Sequence, residues 1–336
     1  MVRLKDIAER AGVSVMTVSK VMRDARDISA ATKARVRQLA EQMGYTPDRM
    51  AQALRSRETK LFGLVISATT NPIFARVVMS IEEQAHELGS EVILAHSLNQ
   101  LEREQKVIQR LLSRRVDGLF LCPVYRLEPT AQIYDELLKR NLPTVILGHR
   151  APFCSRFVNV ETDDIAASQA LTRHLVELGH RRIAYFTGPT VAPSSQERLE
   201  GYRLALREAN LEVDDRLIFT AGATIEEGEK AALQMLNESV KATAVQAVND
   251  LVAIGAANVF LNQGLRIPED LSLAGFGNVL VSEYFRVPLT TIRQPKLRLG
   301  TAAMDSMIKL LRGERAETKR LGAEIVVRKS TAKPPA

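Results

Sequence analysis

AGVSVMTVSKVM, Ala11–Met22, joins a glycine turn to a serine-started amphipathic segment close to the chain start. Gly12 suits the end of a preceding helix, and Ser14 suits the N-cap of the next, its hydroxyl accepting from a free first-turn amide. Behind the cap, Val18, Val21 and Met22 recur at helical spacing and make a core face. Val15 and Met16 fall outside it, at a leading turn where a solvated helix carries polar side chains. Upstream, LKDIAERA sets Leu4, Ile7, Ala8 and Ala11 on one helical side. Downstream, Ser29 starts SAATKARVRQLAEQMGY, with Val36, Leu39, Ala40 and Met43 in register and Gly44 as the stop. Three short helices with a glycine turn between the first two are helix-turn-helix geometry.

The net charge of +7 over 336 residues is concentrated there: residues 1–60 hold thirteen Lys/Arg against seven Asp/Glu, and the remainder is nearly balanced. A basic first sixth points to a polyanionic partner, the plainer alternative being a solvated helical cap. No apolar run approaches the ~20 residues that span a bilayer, so no membrane partner is expected. The start, charged from Arg3, lacks the apolar stretch of a secretory signal, and the expected compartment is the cytoplasm. Cys122 and Cys154 have no second Cys, His or acidic pair at ligand spacing, and read as reduced, buried thiols.

From Leu61 the pattern changes. Apolar strand candidates LFGLVIS, EVILAH, VDGLFLCPV, PTVILG, RIAYFTG, AVQAVND, LSLAGFG and EIVVR are separated by amphipathic stretches such as ARVVMSIEEQAHELG and AASQALTRHLVELGH. Such alternation predicts a parallel α/β sheet covered on both faces. The length is large for one sheet, and FVNVETDD (157–164) reads as a crossing into a second unit. The tail TAKPPA, 331–336, is expected to be disordered.

Enzyme signals are missing from the sequence. There is no GxxxxGK[ST] loop, GxSxG elbow or HExxH, and GFGNVL (275–280) lacks the third glycine of a dinucleotide fingerprint. His174 and His180 are six residues apart, off the one-face spacing of a helix. No catalytic residue, metal or cofactor is expected.

AGVSVMTVSKVM, the third helix and ALRSR together resemble the lactose/galactose-repressor family of bacterial transcription factors. NPIFARVVMSIEE, RRVDGLFL, VELGHRRIAYFTGP, ERLEGYRLAL, AVND, IPEDLSLAGFG and PLTTIRQP follow in that family's order. The resemblance implies an all-α helix-turn-helix headpiece (1–46), a hinge helix (47–60) and a periplasmic-binding-protein-like α/β core (61–330). That core comprises two doubly wound parallel-sheet subdomains: 61–160 with 291–321, and 161–290 with 322–330. It implies a homodimeric repressor on near-palindromic double-stranded DNA, controlled by a small molecule. Contacts to DNA would come from Leu4, Ser14, Thr17, Ser19, Lys20, Ser29 and Thr32. Leu54 would wedge into the minor groove beside Arg55. Val15 and Met16 would occupy base-reading positions, where they can pack on thymine methyl groups and make no bidentate hydrogen bond.

For the effector, the resemblance implies Ser67, Phe74, Gly148, Asp163, Ser194, Arg198, Asn249, Asp250, Asn278 and Gln294. Gly148, Ala223 and Gly277–Asn278 depart from the acidic or aromatic residues of sugar-binding members. With His149 and Arg150 near the mouth, a pocket short of carboxylates is expected. The expected ligand is then a sugar or an anionic derivative such as a sugar acid or phosphate. A nucleobase or other non-sugar co-effector is the alternative. A solute-binding protein would share the core but has no use for the basic headpiece.

Overall fold

The computed structural model describes residues 2–45 and 59–335. Leu54, Arg55 and nearly all of the expected hinge helix lie outside them. The chain forms two units, Met1–Thr59 and Lys60–Ala336.

In the first unit α1 (Leu4–Ala11), α2 (Val15–Met22) and α3 (Ala30–Gln42) enclose one small core of Ile7, Ala8, Ala11, Val18, Val21, Val36 and Ala40. Each helix buries a single apolar stripe, and tertiary packing of such stripes is what sustains helices this short. Gly12 ends α1 at φ 63°, a left-handed value that costs glycine nothing. Ser14 Oγ accepts from the Thr17 amide at 3.0 Å, and Ser29 Oγ from the Thr32 amide at 3.3 Å. At α1 the cap residue is Arg3, whose amide donates to the Asp6 carboxylate at 2.8 Å.

The second unit starts with β1 (Leu61–Ile66), α4 (Ile73–Glu87), β2 (Glu91–His96), α5 (Leu101–Ser113), β3 (Gly118–Leu121), α6 (Gln132–Lys139), β4 (Thr144–Leu147) and β5 (Val158–Thr162). It continues through α7 (Asp164–Glu177), β6 (Ile183–Thr187), α8 (Pro193–Glu208), β7 (Ile218–Thr220), α9 (Ile225–Asn237), β8 (Ala244–Ala247), α10 (Asp250–Asn262) and β9 (Ser272–Gly277). Last come α11 (Leu280–Tyr284), β10 (Thr290–Arg293), α12 (Lys296–Leu311), β11 (Lys319–Leu321) and β12 (Glu324–Val326).

These strands make two six-stranded sheets, β11-β5-β4-β3-β1-β2 and β12-β10-β9-β8-β6-β7. All neighbours are parallel except β12 against β10. The chain passes between subdomains three times, after Thr162, between Arg293 and Lys296, and between Leu321 and Glu324. The first two passages lie a few residues beyond the expected 160 and 290, because β5 stays registered with β11 through Thr162 and β10 belongs to the second sheet. The crossings are tied together: Gln294 Nε2 donates to Thr162 Oγ1 at 3.1 Å, and the Asp163 amide to the Leu321 carbonyl at 2.9 Å.

The tail departs from expectation. His180, fully buried, places Nε2 2.9 Å from the Ala332 carbonyl, and the Ala332 amide donates to Ser272 Oγ at 3.0 Å. Its first residues are therefore fastened to the second sheet, because buried polar groups there need partners.

Helix packing in the second subdomain leans on small residues. A Cβ at Gly255 of α10 would sit 2.0 Å from the Ile225 carbonyl, and one at Gly228 of α9 would sit 2.3 Å from that of Val252. Backbone cannot yield as a side chain does. Gly255→Ala is expected to destabilise the core by about 1–3 kcal/mol through overpacking, read as a lower denaturant midpoint; an unchanged midpoint would show that the two helices separate freely.

Candidate DNA-reading face and ligand cleft

On α2 the two valines that pack inward are fully buried, whereas Val15 is 46% and Met16 66% exposed. Both lie within the first turn, so the exposed apolar pair projects beside the capping hydroxyls. Ser14 Oγ and Thr17 Oγ1 are 2.9 Å apart, as are Ser29 Oγ and Thr32 Oγ1. Each pair holds two hydroxyl protons and uses one internally, which leaves one donor for an external oxygen. Ser19 is half-buried on the same helix. Two expected contacts are placed differently. Leu4 packs partly buried against the three-helix core, and Lys20 is in an ion pair with Asp27.

In the second unit, a cleft of about 450 Å³ opens at the carboxyl ends of the strands of both sheets, where open α/β sheets bind ligands. Ser67, Phe74 and Gly148 line the first subdomain's side and Ser194, Arg198, Asn249 and Asp250 the second's, with Gln294 at the crossing. Their chemistry is unequal. Asn249 caps α10, its Oδ1 accepting from the Val252 amide at 2.8 Å, and its Nδ2 donates to the Ala223 carbonyl at 3.1 Å. The buried Asp250 carboxylate accepts from Thr291 Oγ1 and the Val279 amide. Both side chains organise strand ends and offer the cleft little free capacity.

Arg198 is the main cation of the wall. Its Nε donates to Asp164 Oδ1 at 3.1 Å, one amino group donates to the Val248 carbonyl at 2.8 Å, and the guanidinium lies 3.8 Å above the Phe276 ring. The fork has five donors, so part of it remains for a ligand.

Two of the expected residues are not in the wall. Asp163 caps α7, accepting from the Ala166 amide at 3.2 Å, and faces Arg320 Nε at 3.3 Å. Its neighbour Asp164 is the buried acid that lines the cleft, since one residue turns a helical side chain by about 100°. Asn278 accepts from Arg328 at 2.8 Å through Oδ1 and from Lys296 at 2.7 Å through its carbonyl, away from the cleft. Nor is the pocket short of carboxylates, because Glu161 and Asp164 both line it. Arg150, expected at the mouth, donates instead to the Ser155 carbonyl at 3.2 Å.

Residues 172–331 match the family model described as a periplasmic binding protein-like domain. Residues 3–48 match that of the bacterial regulatory proteins, lacI family. The ribose operon repressor of Escherichia coli (strain K12) is 32% identical, over 92% of this chain and 92% of the relative. The HTH-type transcriptional repressor PurR of Photobacterium profundum is 30% identical, over 98% of each. Among solved structures, the lac repressor dimer bound to operator and the anti-inducer ONPF superposes with a TM-score of 0.87 at 29% identity, covering 98% of this chain and 99% of that one. The chain belongs to the lacI family. It is a DNA-binding transcriptional repressor under small-molecule control, and the family is one of regulators rather than enzymes.

In this lacI-family repressor, the largest feature that residue patterns left out is an ionic bridge across the cleft. His149, after β4, places Nε2 3.0 Å from Glu197 Oε2 on α8 and 3.5 Å from Asp164 Oδ2. Arg320 of β11 donates to the same Glu197 oxygen at 2.5 Å and lies 3.7 Å from Glu161. His149 and Arg320 of the first subdomain thus hold an acid of the second. The sequence hints were His149, expected near the mouth, and the acid-rich segment VNVETDD at the crossing.

Burial opposes a charge on His149, but the Glu197 hydrogen bond and the Asp164 and Glu161 charges outweigh it and raise its pKa above the ordinary value. A raised histidine pKa stabilises fully below the unfolded value of about 6.5, and the contribution is lost as pH rises through the folded one. Wild-type stability should therefore fall relative to His149→Gln as pH rises above about 6.5, measured as denaturant midpoints; parallel profiles would show that the bridge adds no linkage.

Proposed function

We propose that this repressor binds a near-palindromic operator as a homodimer, each subunit laying α2 in one major groove, and that a neutral sugar in the cleft controls operator affinity. The observation that carries the DNA half is the pair Val15 and Met16, exposed beside two capped helix starts. A major groove about 12 Å wide admits such a helix, and apolar side chains there recognise thymine methyl groups. Hydroxyls of Ser14, Thr17, Ser29 and Thr32 suit phosphate oxygens, which position without reading sequence. The lac repressor neighbour, a dimer bound to operator, supports the assembly.

Neutrality of the ligand rests on the charges around the cleft. Arg198 is answered by Asp164, and Glu161 and Asp164 repel an anion while accepting from hydroxyls. The ribose operon repressors among the relatives, and solved structures of a LacI family regulator with bound ribose and of a transcriptional regulator in complex with cellobiose, support a sugar. The sugar shifts DNA affinity only by its differential affinity for the two subdomain arrangements.

A thermal-shift screen of pentoses, hexoses, disaccharides, sugar acids, sugar phosphates and nucleobases tests the ligand class. A rise with neutral sugars is expected. A rise confined to acids and phosphates overturns neutrality, and one confined to nucleobases overturns the sugar. Val15→Ala should relax preference at one or two symmetric operator positions by on the order of 1 kcal/mol, with nonspecific binding retained. Unchanged preference in a randomised-site selection would remove Val15 from the reading face.

A further inference from the structure

The loop joining α2 to α3 carries two carboxylates for which the proposed DNA contacts have no use. Asp24, in the left-handed region at φ 56°, accepts from Arg37 at 2.6 Å and pairs with Lys33 Nζ at 3.1 Å. Asp27 pairs with Lys20 Nζ. The hydrogen bond from Lys33, joined by that from Arg37, holds the Asp24 carboxyl below its ordinary value, and the one from Lys20 does the same for Asp27. Three of the basic residues that make the headpiece positive are thereby answered from within it.

The two acids differ in what they touch. Lys33 also donates to the Asp24 carbonyl at 3.2 Å and is largely buried, so Asp24 clamps the loop onto α3. Lys20 belongs to α2, the helix that carries Val15 and Met16. At about 100° per residue it stands roughly 40° around the axis from Met16, on the side away from the buried Val18. Its side chain is 39% exposed and that of Asp27 56%. A duplex seated on Val15 and Met16 therefore brings its phosphates to Lys20 and Asp27 together. A phosphate that attracts the ammonium also repels the carboxylate beside it, and the net electrostatic gain of the pair is small.

We infer that Asp27 is a specificity-determining residue: by neutralising Lys20 at the edge of the reading face, it withholds one cation from sequence-independent phosphate binding. The inference rests on the proposal that α2 faces DNA. Its consequence is a larger share of discrimination for the apolar pair. Counterion release supplies nonspecific affinity and is blind to sequence, whereas methyl contacts are not. An exposed ion pair contributes little to stability, so removing this one leaves the three-helix core standing.

The test uses the full-length protein and a random-sequence duplex in a fluorescence-anisotropy salt titration. Each phosphate neutralised adds about −0.9 to the slope of log affinity against log salt. Asp27→Asn is expected to steepen the slope by about 0.9 and to tighten binding roughly threefold or more at the low-salt end. Lys20→Gln alone leaves the Asp27 carboxylate unanswered, so it should weaken binding and not steepen the slope, and adding it to Asp27→Asn should restore the wild-type slope. Glu41→Gln, which removes an exposed acid elsewhere on the headpiece, should leave the slope as it is. A Glu41→Gln effect equal to that of Asp27→Asn would reduce the matter to bulk charge and overturn the inference. So would a slope that is shallower in Lys20→Gln and unchanged in Asp27→Asn, since Lys20 would then be binding phosphate unhindered. No binding of the duplex by the wild-type protein overturns the DNA-facing assignment of α2 as well.

Discussion

Asp164 is an acid almost wholly withdrawn from water, at the point where the chain first passes between subdomains. Leaving such a charge unanswered costs several kcal/mol, so its surroundings are constrained. Arg198 answers it from its own subdomain through α8, and His149 from the other side of the cleft. Arg198 is in turn stacked on Phe276 and bonded to the end of the β8 loop, while His149 and Arg320 share Glu197. The relative placement of the two sheets is thereby coupled to the charge state of one small cluster. A ligand that enters the cleft competes with, or completes, those contacts. Such a ligand would have the differential affinity for two subdomain arrangements on which the proposed effector control rests.

The headpiece solves a different problem with similar economy. Its core is a handful of small apolar residues, too few to stabilise three free helices without capping. Ser14 and Ser29 supply the caps and, in doing so, collect hydroxyls and unpaired amides at two helix starts, which is also what a phosphate binds. Structural need and ligand chemistry coincide at those positions, whereas Val15 and Met16 have no structural task because Val18 and Val21 already fill the core. Exposed apolar side chains at a capped helix start of a basic headpiece are best accounted for by a partner with an apolar edge.

Much of this was legible beforehand because it is local. Helix starts, glycine stops and the inward stripes of α1 to α3 are set within a few residues of each other. Eight of the twelve strands were marked by continuous apolar runs, and FVNVETDD held a ninth, β5. The strands not anticipated had reasons to escape. β7 and β11 have three residues each at or near sheet edges. β10 reads TTIR, and the hydroxyls of its buried threonines are satisfied by Thr331 and Asp250 from distant parts of the chain. In the cleft, eight of the ten expected residues line the wall. Asp163 was named in place of Asp164 because adjacent acids cannot be told apart until the helix phase is known. Asn278 was displaced because its partner, Arg328, lies fifty positions away.

By itself, then, the sequence determined the helix-turn-helix, the exposure of Val15 and Met16, the α/β alternation and the basic first sixth, since periodicity and composition act at short range. Long-range packing set which acid faces the cleft and brought Glu197, His149 and Arg320 together across it. It also decided that Lys20 is answered by Asp27 and that the tail is stitched to His180. Each of those is a charge or hydrogen bond satisfied by a group remote in sequence or across a turn. Coulombic and hydrogen-bond partners are chosen by distance in space, which no spacing along the chain encodes.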